Sequence, residues 1–108
     1  MQTDLIVSVQ GRGPSIVLEV DGELDLASAP QLKRALEQAW RNAPEEIVID
    51  LGKLRFMDMS GLRVLLSARQ RAERRGTELV LTNVGDSIRR VLTLAGVNGL
   101  LPIREGRR

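Results

Sequence analysis

The feature that most limits what this chain can fold into is a repeated change of hydrophobic period after residue 28. Leu32, Ala35, Leu36, Ala39 and Trp40 fall at i, i+3, i+4, i+7 and i+8, the spacing of a helix with one apolar side. Residues 45–51, EEIVIDL, follow as a short, near-continuous apolar run, which suits a strand in a sheet with helices packed on it. The alternation then recurs. A helix is predicted from about Ser60 to Arg75, a strand over 78–83 (ELVLTN), a helix from about Ser87 to Ala95 and a last strand at 100–103 (LLPI). Gly76 and Gly96 stand where helix ends favour a left-handed residue. Strands separated by helices need crossover connections, so the sheet must be mostly parallel.

Ahead of this block, residues 4–10 and 15–20 are β-branched runs separated by GRGP, which reads as an antiparallel hairpin. Asp21–Gly22 predicts a second turn. Ser28, with Gln31 three residues on and Pro30 between, has the form of a helix N-cap. GKLRFMD, residues 52–58, reads as a loop. The expected fold is an α/β domain of order β-β-α-β-α-β-α-β, with a mixed sheet and its helices mainly on one face. It occupies residues 1–108 as one unit, with a core over about 4–103 and a charged, fraying tail at 104–108.

Composition narrows the chemistry. The chain lacks both Cys and His. Thiolate catalysis, histidine acid–base chemistry and the common zinc sites are therefore excluded, and neither metal nor cofactor is expected. Fourteen of the 16 basic residues are Arg, yet they are spread along the chain and offset by 14 acids to a net charge of +2. Aromatic residues are 2% of the chain, too few for base stacking, so nucleic acid is not an expected partner. MQTDLIVSVQ has no signal-peptide organisation, and no apolar run is long enough to span a bilayer. A cytoplasmic location is expected.

Residues 56–62, FMDMSGL, sit where a strand hands over to an amphipathic helix. Asp58 is placed to cap that helix by accepting from the N–H groups of Ser60 or Gly61. Met59 and Ser60 then occupy a first turn whose N–H groups lack intrahelical partners and favour negative charge. Gly61 sacrifices about 1 kcal/mol of helix propensity. It thereby opens that turn to close backbone approach, which suggests a site, although a plain cap with a small packing residue would look the same. Beyond it, Leu62, Val64, Leu65, Leu66, Ala68 and Ala72 share a broad apolar face. Arg63, Ser67, Gln70, Arg71 and Arg74 lie opposite, as a solvated surface or a basic docking strip, and Arg69 is placed to snorkel.

FMDMSGLRVLL after IVIDLGKL closely resembles the signature of the STAS domain of bacterial anti-sigma factor antagonists, usually F-[IM]-D-S-[ST]-G-L. VDGELDLASAPQLKRAL resembles the family's G-E-L-D segment, and GVNGLLPI resembles its closing stretch, so the similarity covers roughly residues 5–103. The resemblance implies a protein that binds a kinase-type anti-sigma factor and so frees a sigma factor. The partner kinase phosphorylates the first serine of D-S-[ST]-G and abolishes binding. Here that position is Met59, which has no hydroxyl, and Ser60 matches the second hydroxyl residue. Three consequences are compatible with this: a constitutive antagonist, a switch moved to Ser60, or another STAS role.

The implied partner-binding residues are Asp25, Asp58, Met59, Ser60, Gly61, Arg63 and Ser67, with Ser60 the candidate phosphorylation site. Asp25, in GELD, aligns with a family aspartate near that site; it either orients Ser60 and the partner or helps cap the first helix. Asp50 closes a strand like a response-regulator phosphoacceptor, but the accompanying acids and lysine are missing. Trp40 reads as a packing residue. An enzyme is not expected, because no nucleophile–base pair can be identified. The competing reading is a scaffold subunit of a stress-signalling complex or of a lipid ABC transporter, and a homodimer is left open.

Overall fold

The computed structural model describes residues 5–105. Strand β1 (Leu5–Arg12) and strand β2 (Ser15–Leu24) form the expected hairpin, joined through Gly13 and Pro14. Gly13 has φ +62°, the positive value required at the first central position of a two-residue II′ turn, and Pro14 supplies the fixed negative φ after it. Helix α1 (Ala29–Arg41), strand β3 (Glu46–Met57), helix α2 (Met59–Arg75), strand β4 (Glu78–Thr82), helix α3 (Asp86–Ala95) and strand β5 (Ile103–Arg104) complete the order. A short 3-10 turn, Asn98–Leu100, precedes β5. The sheet runs β1-β2-β3-β4-β5, with β1 antiparallel to β2 and every later pair parallel.

All three helices lie on one side. Leu18, Ile49 and Leu81 share a row across the sheet, and Ile16, Ile47 and Leu79 share the next. These side chains join Leu32, Leu36, Ala39 and Trp40 of α1, Leu62, Leu65, Ala68 and Ala72 of α2, and Ile88 and Leu92 of α3 in one buried cluster. Val48 and Val80 point the other way. They are nonetheless buried, lying in one row beside Val17. The apolar run at 45–51 therefore reflects one face covered by helices and one closed by neighbouring strands.

Several sequence expectations are corrected. No turn forms at Asp21–Gly22, because β2 runs through it to Leu24, with Gly22 at φ +123°. GKLRFMD is not a loop: β3 continues through it to Met57, with Asp58 alone linking strand to helix. Two shifts of register against β2 make this possible, one between Glu19 and Asp21 and one between Gly22 and Glu23. At each, β3 carries an extra residue, so its core-facing side chains fall at Leu51, Leu54 and Met57. Asp50 belongs to the first irregularity. Its Oδ1 accepts from the Gly52 N–H at 2.9 Å and from Asn83 Nδ2 at 3.1 Å. The last strand is shorter than 100–103 and includes Arg104, assigned in sequence to the tail; 106–108 and residue 4 lie outside the described residues.

Arg104 crosses the open face to pair with Glu46, which also accepts from Ser15 Oγ at 2.7 Å. These contacts, Arg104 first and Ser15 second, hold the Glu46 carboxyl below its ordinary value, against the opposing effect of burial. A carboxyl with a lowered folded-state pKa adds stability above its unfolded value, near 4.3, and loses it as pH falls through the folded value. Glu46→Gln is accordingly expected to lower stability at neutral pH. It should also flatten the loss on acidification, as read from urea midpoints between neutral pH and the acid limb.

Candidate protein-recognition surface

The surface is built where β2 and β3 end side by side. The Asp58 N–H donates to the Leu24 carbonyl at 3.1 Å, tying the two strand ends together. Asp58 itself is extended (φ −108°, ψ −171°), and the helix starts at the next residue. Its Oδ1 accepts from Ser60 N at 2.9 Å and Gly61 N at 3.2 Å, the cap that the sequence implied. Asp58→Ala is expected to cost about 1 kcal/mol of stability through loss of this cap, read by thermal or urea unfolding.

Gly61 is buried, and its missing side chain is accounted for on the inside. A Cβ there would lie 2.5 Å from Leu24 Cγ and 3.1 Å from the Leu24 carbonyl oxygen. The close approach expected at this glycine is made by the end of β2 rather than by an arriving partner. Met59, two residues earlier, points outward and is 56% exposed.

The opening of α1 corrects a second expectation. Ser28 gives no forward cap; its hydroxyl donates back to the Glu23 carbonyl at 2.7 Å and accepts from the Asp25 N–H at 2.9 Å. Asp25 Oδ1 accepts from Ser28 N at 3.0 Å, and its carbonyl accepts from Ala29 N at 2.8 Å. Among the described residues Asp25 makes no hydrogen bond to Ser60. Of the two readings of Asp25, the geometry supports the helix-start role.

Between α1 and α2 runs an open groove of about 480 Å³. Ser60, Arg63 and Ser67 line it from α2, three of the residues singled out in sequence, and Lys33 and Leu26 face them from the α1 side. Arg71, placed by its spacing on a face that is either a solvated surface or a basic docking strip, is held by neighbouring side chains. Its Nη1 meets both Glu37 carboxylate oxygens at 3.1 and 3.2 Å, and the guanidinium lies 5.3 Å from the Trp40 ring centre. Arg63 makes no ion pair among the described residues, so its charge is available at the rim. Leu26, 76% exposed, was not singled out in sequence. The available signal was an apolar side chain placed between Asp25 and Ala27, outside both flanking periodic patterns.

The turn thus offers an exposed thioether, a serine and, among the described residues, an unpaired guanidinium beside an apolar groove, at a strand-to-helix junction. The family described as "Mlab, STAS domain" matches residues 7–102. The chain belongs to the STAS domain family. An anti-sigma F factor antagonist of Paenibacillus polymyxa is 30% identical over 83% of this chain and 78% of its own length. An anti-sigma-B factor antagonist of Staphylococcus aureus is 27% identical, with 82% of each chain covered. Among solved structures, an anti-sigma factor antagonist from Mycobacterium paratuberculosis superposes with a TM-score of 0.84 at 26% identity, over 93% of this chain and 85% of that one. The unphosphorylated form of the antagonist SpoIIAA shares the fold at a TM-score of 0.80 and 21% identity, over 95% and 90%. In this STAS chain the turn capped by Asp58 carries an exposed methionine at position 59. Among the described residues no helix is long and apolar enough to cross a membrane.

Proposed function

We infer that this STAS protein is an anti-sigma factor antagonist: it binds an anti-sigma factor, of the serine-kinase type, and so releases a sigma factor for transcription. It acts by occupying a surface and carries out no reaction of its own. The observation that carries this reading is the outward-facing junction at Asp58–Ser60, with Met59 exposed and Arg63 unpaired among the described residues. Relatives named as anti-sigma factor antagonists support the partner class. Asp58 fixes the turn, Met59 supplies apolar contact, and Arg63 supplies charge for an acidic partner surface, with Ser67 following one turn along α2. Asp25 shapes the neighbouring loop, and Gly61 allows the turn to seat on β2.

Position 59 has no hydroxyl to modify, which makes constitutive binding the favoured mode. A scaffold role is the second reading, favoured by the same methionine, since a scaffold has no need of a switched hydroxyl. The two readings separate by co-purification from the native host with mass spectrometry. A kinase-type anti-sigma factor supports the first, and transporter or stress-complex components support the second.

Arg63→Glu tests the surface itself. Affinity for the captured partner, read by calorimetry, should fall tenfold or more, or about 1.4 kcal/mol per decade. The unfolding midpoint should barely move, because the side chain is exposed. A large loss of stability with binding intact would contradict the assignment.

A further inference from the structure

We propose that the chain self-associates through the outer edge of β1, as an antiparallel two-fold pairing centred on Ser8. Strand β1 is the long terminal strand of the sheet, and among the described residues nothing pairs with its outer side. Edge strands are ordinarily blunted by charge, proline, bulges or short length. Residues 5–11, LIVSVQG, hold no charged residue and no proline. Their pairing with β2 continues without a register shift from Leu5↔Gly22 to Arg12↔Ser15. Ile6 and Val9 are left 62% and 51% exposed.

The hairpin fixes which backbone groups are free. Arg12 and Ser15 close a two-residue loop as a hydrogen-bonded pair, so even-numbered residues of β1 bond inward to β2. Leu5, Val7, Val9 and Gly11 therefore present their N–H and C=O groups outward. A two-fold axis at Ser8 pairs Val7 with Val9 of the second copy, and Leu5 with Gly11. Every outward residue of this segment then finds a partner. Ile6 falls opposite Gln10, Ser8 opposite itself, and no like charges meet. Val9, exposed because the helix layer does not cover it, gains the valine of the other copy on the same face. Growth stops at two copies. The opposite edge, β5, is only two residues long and carries Arg104, so it offers no comparable template.

The register makes a sharp test, because the chain has no cysteine of its own. Ser8 is a non-hydrogen-bonded position at the axis, where paired Cα atoms lie about 4.5 Å apart, within disulfide reach. Under mild oxidation Ser8→Cys should form a disulfide-linked dimer. Ile6→Cys and Gln10→Cys should each remain largely uncrosslinked alone but crosslink when mixed. By sedimentation velocity the wild-type chain should show a concentration-dependent dimer. Ser8→Lys should weaken it at least about tenfold by opposing two like charges, while Glu19 across the hairpin accommodates the lysine within each copy. A wild-type chain monomeric at all concentrations overturns the proposal. Crosslinking of Ser8→Cys no faster than of the two single controls, or a Ser8→Lys dimer as tight as wild type, does so equally. None of these readouts depends on an anti-sigma partner.

Discussion

Replacing Gly61 with valine is expected to lower the unfolding free energy by about 3 kcal/mol, the upper range for overpacking a well-filled core. Leu24 is fully buried, and the added Cβ would meet its Cγ at 2.5 Å, its Cδ2 at 2.7 Å and its carbonyl oxygen at 3.1 Å. The leucine side chain can rotate away only into neighbours that already fill the core. The carbonyl cannot retreat either, since it accepts the Asp58 N–H that joins the two strand ends. Alanine at the same position separates two opposing effects. It gains up to about 1 kcal/mol of helix propensity over glycine, yet it brings the same Cβ clash. The net change for Gly61→Ala should still be destabilising. Urea unfolding of both variants measures this. Leu24→Ala is itself costly, but combined with Gly61→Ala it should cost less than the sum of the two single changes, with a coupling of about 1 kcal/mol or more in a double-mutant cycle. Additive losses would show that the glycine serves something other than its fit against β2.

That position also shows how a sequence reading reaches a site and misjudges its parts. The helix-initiating aspartate, the serine and the glycine were legible because capping chemistry is local: Asp58 needs only the N–H groups two and three residues on. What Gly61 is small for was not legible, because Leu24 lies 37 residues earlier and comes alongside only when β2 and β3 pair. Helices and their glycine ends followed from period and left-handed C-termini at Gly76 and Gly96. Strand β3 did not. Its core contacts run 47, 49, 51, 54, 57, and the change of spacing after Leu51 removes the alternation by which a strand is recognised. Two register shifts against β2 produce that change, and they are visible only in the pairing.

Asp21–Gly22 misled for a related reason. The same dipeptide that favours a tight turn also supplies, through Gly22 at φ +123°, the irregular backbone that lets β2 follow the extra residues of β3. Ser28 looked like a forward cap because serine three residues before glutamine usually is one. Its hydroxyl is instead taken by the Glu23 carbonyl five residues earlier, at the end of the preceding strand, a nearby backbone acceptor that the cap pattern alone does not weigh. The groove beside Ser60 was hidden more deeply. Its rim comes from both α1 and α2, and whether Arg71 is free or held depends on Glu37, 34 residues away.

Met59→Asp should separate binding from stability most widely. The side chain at 59 is outward and 56% exposed, so an aspartate there displaces no core contact. It also falls in the first turn of α2, which has no acidic residue of its own. A carboxylate at that position interacts favourably with the helix dipole, worth about 0.3–1 kcal/mol at an exposed site. Stability should hold or rise slightly. Binding to the anti-sigma partner should move the other way by far more, because a charge brought into a close-fitting contact loses hydration without a matched donor. A loss of about 3 kcal/mol, more than a hundredfold in Kd, is the expected result by titration calorimetry. Met59→Ser provides the companion measurement. It should bind within a few-fold of wild type and, where the captured partner is a serine kinase as proposed, lose affinity on treatment with that partner and ATP as phosphate is incorporated at position 59. If Met59→Asp binds as tightly as wild type while Arg63→Glu does not, the recognition surface begins one turn further along α2, at the groove, and the outermost residue of the junction has no part in it.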